Sequence, residues 1–147
     1  MEDIPDRFIV SKLVGVFESP LDTSVTWHYD LDHPLTREEV QAELDKGESA
    51  WVHPSYRKSR IIRSTTRTPE QRQCHAARIA WLIAHPESEE MTHPISLDFG
   101  VDRRVEPIIS DGNHRFAAAI FMGWESITAT WGGDTRLAES CMCKTTQ

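Results

Sequence analysis

Apolar positions along the chain change period several times, and each change marks an element. Phe8-Ile9-Val10 continuing to Val14-Gly15-Val16-Phe17 is rich in β-formers and closes on Ser19-Pro20, which predicts an early strand. Val25 to Tyr29 alternates and predicts a partner for it. Thr36 with Glu39 three residues later forms a capping-box signature, and Leu35 is placed to staple onto Val40. The helix so begun ends at Gly47, and with only Val40 and Leu44 at the inward spacing it is a surface element.

Thr68 and Gln71 repeat the signature, with Pro69 at the first helical position. Ala76, Ile79, Ala80 and Ile83 recur at helical spacing until His85-Pro86, which predicts the longest and most buried helix. Ile95, Leu97 and Phe99 then alternate with polar neighbours, and a turn through Gly100 to Arg104 leads into Pro107-Ile108-Ile109. That pattern is a hairpin. Ser110-Asp111-Gly112-Asn113-His114-Arg115 follows, then an apolar helix from Phe116 to Met122 closed by Gly123, a strand from Ile127 to Trp131, and a turn at Gly132-Gly133. Interleaved helix and strand signals indicate an α/β (α+β) layer structure with a mixed sheet flanked by helices.

Composition narrows the class. The 147 residues are 39% hydrophobic and 27% charged, too apolar for intrinsic disorder and of a length for one domain, 1–147, with 132–147 read as a tail. The longest apolar runs are far below a membrane span, and the acidic start Met1-Glu2-Asp3 does not read as a secretory signal. Three cysteines, Cys74, Cys141 and Cys143, suit a reducing compartment, so the expected location is the cytoplasm and no membrane partner is expected. Cys141-Met142-Cys143 lacks a second pair and reads as part of a frayed tail. A formal net charge of -7 opposes wholesale duplex binding. Locally the balance reverses: Arg57, Lys58, Arg60, Arg63 and Arg67 lie in an acid-free stretch.

The chemistry concentrates at residues 111–115. A glycine turn that opens straight into a helix presents unpaired N–H groups and the positive end of the helix dipole, which together favour an anion. Gly112 allows close backbone approach, while His114 and Arg115 add charge-assisted donors. Asp111 either caps the helix, orients Arg115, or holds a water or hydrated Mg²⁺. His28-Tyr29-Asp30-Leu31-Asp32-His33 contains possible ligands but no defined metal spacing, so no protein metal site is assigned. The five tryptophans, Trp27, Trp51, Trp81, Trp124 and Trp131, read as packing residues; one exposed near the turn could stack on a base.

Asp111-Gly112-Asn113-His114-Arg115-Phe116-Ala117-Ala118-Ala119, with Gly123 and the strand to Trp131, resembles the signature of the ParB/sulfiredoxin superfamily. The resemblance covers residues 69–131; residues 1–68 match only loosely. It implies a ParB-like nucleotide-binding domain holding a nucleoside triphosphate (ATP or CTP) with Mg²⁺. Gly112, Asn113, His114 and Arg115 would lie on the phosphates, joined by a basic residue such as Arg63. Sulfiredoxins carry their catalytic cysteine where Asn113 stands, so sulfinic acid repair is not expected. The chain stops 16 residues after Trp131, so the helix-turn-helix of the partitioning proteins is not expected either. What remains is phosphohydrolase or phosphoryl-transfer chemistry with Asp111 and His114 as catalytic candidates, His114 acting as donor or acid near neutral pH. Nuclease activity on single-stranded DNA is a variant. The alternative is a non-catalytic module of plasmid or phage type that binds a protein target, marked by Trp27, Trp51 and Trp124 gathered on one face.

Overall fold

The computed structural model describes residues 4–17, 35–53, 68–101 and 107–144. Those residues form a four-stranded mixed sheet and six α-helices in an α/β arrangement. The strands are β1 (Asp6–Ile9), β2 (Ile95–Asp98), β3 (Ile108–Asp111) and β4 (Ser126–Gly132), in the order β1-β4-β2-β3. β1 runs antiparallel to β4, β4 parallel to β2, and β2 antiparallel to β3. The β2–β3 hairpin is the one the alternation of Ile95, Leu97 and Phe99 predicts. All three side chains are buried.

The first apolar run does not stay a strand. Only Asp6–Ile9 is extended, and Val10–Val16 forms helix α1. Val10, Leu13 and Phe17 are buried while Ser11, Lys12 and Gly15 are exposed, a spacing of three and four rather than two. Valine-rich composition suggests a strand, but that periodicity wins because it puts the large side chains on one side. Phe17 and Phe8 both lie against Phe99, at centroid distances of 5.2 and 5.7 Å. The strand expected at Val25 to Tyr29 and the 28–33 cluster lie outside the described residues.

Both capping boxes form. Thr36 Oγ1 accepts from the Glu39 N–H and Glu39 accepts from the Thr36 N–H at the start of α2 (Arg37–Lys46); Thr68 and Gln71 do the same at α3 (Pro69–Ala84). Gly47 ends α2 at φ 93°. Leu35 and Val40 are buried as expected, but so is Glu43, whose carboxylate accepts from Lys46 Nζ at 2.6 Å. After α3 a short helix α4 (Glu89–Thr92) leads into β2.

Helix α5 (Asn113–Met122) packs against both α3 and β2, and its Ala117, Ala118 and Ala119 are fully buried. Small side chains let the two helices and the sheet approach closely. Gly123 adopts φ 73°, ψ 30°, and the Trp124 N–H reaches back to the Ala119 carbonyl at 3.0 Å, closing α5 as its glycine predicts.

Residues 132–147 are not a frayed tail over their described part. Thr135–Cys141 forms helix α6, capped by Asp134, with Ala138 and Cys141 buried. Beyond it Met142 bridges to Phe8 and the Cys143 N–H bonds to the Arg7 carbonyl at 2.9 Å. This segment therefore covers the outer edge of β1, which a composition-based reading of Cys141-Met142-Cys143 could not foresee.

Candidate functional site

The turn between β3 and α5 is built by an irregularity in the hairpin. Ser96 faces Asp111 but Leu97 faces Ile109, so Ser110 is an extra residue on β3, and its Oγ donates to the Ser96 carbonyl at 3.1 Å. Such a bulge bends and twists the strand end. Gly112 then takes φ 101°, ψ 24°, a left-handed conformation, and serves as the N-cap of α5 with no side chain able to cap it. The first intrahelical bond runs from the Phe116 N–H to the Gly112 carbonyl. The amides of the first turn thus stand at the positive end of the helix without side-chain capping from Gly112.

Arg115 lies over this turn. Its Nη2 is 3.3 Å from Asp111 Oδ2 and 3.5 Å from the Pro94 carbonyl, and its Nε is buried with no hydrogen-bond partner. The side chain is only 16% exposed, against 73% for Asp111. Arg115, expected as a charge-assisted donor at the turn, is thus largely buried along its stem, with its Nη2 at the turn. Of the roles open to Asp111, the geometry supplies one: its carboxylate orients Arg115.

His114 turns inward. Its Nε2 lies 2.8 Å from Nδ1 of His75 on α3, and the rings stack with centroids 5.0 Å apart. His75 is 1% exposed. Burial, together with the positive charge of His75, Arg78 and Arg115, holds the His114 pKa well below the usual histidine value. That direction favours the uncharged imidazole.

His75 and Arg78 are the residues that sequence reasoning missed. Their signal was present but weak: His75 stands at i−4 from Ile79 and i−7 from Leu82, on the buried side of α3. A histidine there reads as an interruption of the apolar face until its partner, 39 residues away, is known.

The described residues thus bring together Asp111, Gly112, Asn113, His114 and Arg115, and add His75 and Arg78. Arg63 and the basic stretch from 57 to 67 lie outside the described residues, as does Trp27. Trp51 and Trp124 have different surroundings. Trp51 donates its Nε1–H to the Glu43 carbonyl at 2.9 Å, whereas Trp124 lines an open cleft of about 560 Å³ with Ile9, Ser11, Glu125, Ser126 and Cys143. That cleft lies past the C-terminal end of α5, opposite the glycine turn.

Among the described residues no cluster of three or more His, Cys, Asp or Glu could hold a metal ion. Asp111 is the carboxylate at the turn, with its Oδ2 3.3 Å from Arg115 Nη2. No helix among them is long and apolar enough to cross a membrane. Comparison of the chain with models of protein families, with characterised proteins and with solved structures gave no match.

Proposed function

We propose that this domain binds the phosphate chain of a nucleoside triphosphate at the N-terminus of α5. The observation that carries the reading is a helix start opened by a left-handed glycine, with Arg115 lying over its first turn. An anion at the turn would meet the positive end of the helix and the guanidinium of Arg115. The amides of Asn113 and His114 would cradle a phosphate, and Arg115 would clamp it through its terminal nitrogens. Its resemblance to the ParB/sulfiredoxin signature points to the same use of the same residues.

Hydrolysis or transfer of the terminal phosphoryl group is the chemistry this placement serves. Asp111 is the exposed carboxylate at the turn and the group available to orient an attacking water once phosphate has taken its place on Arg115. Neutral His114 would donate to a phosphate oxygen. Any Mg²⁺ would arrive with the nucleotide, and no step is assigned to it.

Titration with ATP, CTP and GTP, with and without Mg²⁺, tests the reading, followed by release of inorganic phosphate. At least one should bind at micromolar concentration and raise the melting temperature by mass action. Failure of all three to bind below millimolar concentration would overturn it. Phosphate release that persists in Asp111→Asn would remove that residue from the chemistry while leaving binding intact.

A further inference from the structure

We draw no further inference here: the strongest candidate, the cleft of about 410 Å³ between α2 and α3 where Oε1 of the buried Glu43 has no hydrogen-bond partner among the described residues, carries nothing because that oxygen is itself closed to solvent and Lys46 Nζ already holds the other at 2.6 Å.

Discussion

A Cβ added at Gly112 would meet Ile95 Cγ2 at 2.5 Å and Ile95 Cβ at 2.7 Å, with the backbone at φ +101°. Gly123 shares the left-handed backbone at φ +73° but has nothing within 4 Å of the same position. Gly112→Ala should therefore cost about 2 to 5 kcal/mol, the sum of a left-handed penalty and a clash with a buried strand residue. Gly123→Ala should cost about 1 kcal/mol. Denaturant unfolding of the two variants separates packing from backbone strain, and equal losses would argue against the close contact with Ile95. Arg115 needs a different substitution from the alanine suited to an exposed side chain. Arg115→Met preserves the packed stem, so its melting temperature should stay within a few degrees of wild type while the nucleotide-induced shift disappears. At this scale the sequence was most legible where chemistry is local. Gly112 and Gly123 declare their conformation by lacking a Cβ, whereas the burial of Arg115 and the partner of His114 arise from contacts made across the fold.

Helix starts were readable for the same reason, since a capping box is complete within four residues. The α1 segment was not, because its Val-rich composition and its three-and-four spacing point in opposite directions and tertiary burial decides between them. One capping residue also links two helices. Glu39 accepts from the Thr36 N–H and is held by the Arg72 guanidinium of α3. Burial alone would raise its pKa, but the bonds from Arg72 and Thr36 outweigh that and leave it below the usual glutamate value. A lowered carboxylate pKa contributes stability that is present above the unfolded value of about 4.5 and lost as pH falls through the folded one. Glu39→Gln keeps a competent capping box, as Gln71 shows at α3, and removes only the charge held by Arg72. At neutral pH it should cost at most about 1 kcal/mol, because both partners are partly solvated. Thermal melts should show its stability declining less steeply than wild type below about pH 4.5. Parallel curves would mean that Arg72 contributes nothing through charge.

Across the molecule, the mixed sheet and its flanking helices follow from the interleaved periodicities, but the strand order does not. β4 enters between β1 and β2, a choice made by long-range packing of Phe8, Ile95, Ile127 and Ala129 rather than by any local pattern. The same packing gives the last segment a structural part. Removing residues 133–147 uncovers Phe8 and takes away Ala138 and Cys141, so the shortened chain should lose several kcal/mol or fail to fold. Circular dichroism melting checks this, and a wild-type melting temperature would show that α6 is dispensable.

β1 also sets a timetable for synthesis. Arg7 on β1 donates to Ser126 on β4 across 119 positions, and no other described strand pairs with β1. At about 5 to 20 residues per second, the first strand leaves the ribosome on the order of ten seconds before its partner exists. Through that interval Phe8 has no sheet to enter, and the β2–β3 hairpin and the α3–α5 contact become possible only in its last part. The nascent N-terminus is thus a waiting hydrophobic strand, and slow translation upstream of residue 126 lengthens its exposure to chaperones and to other chains.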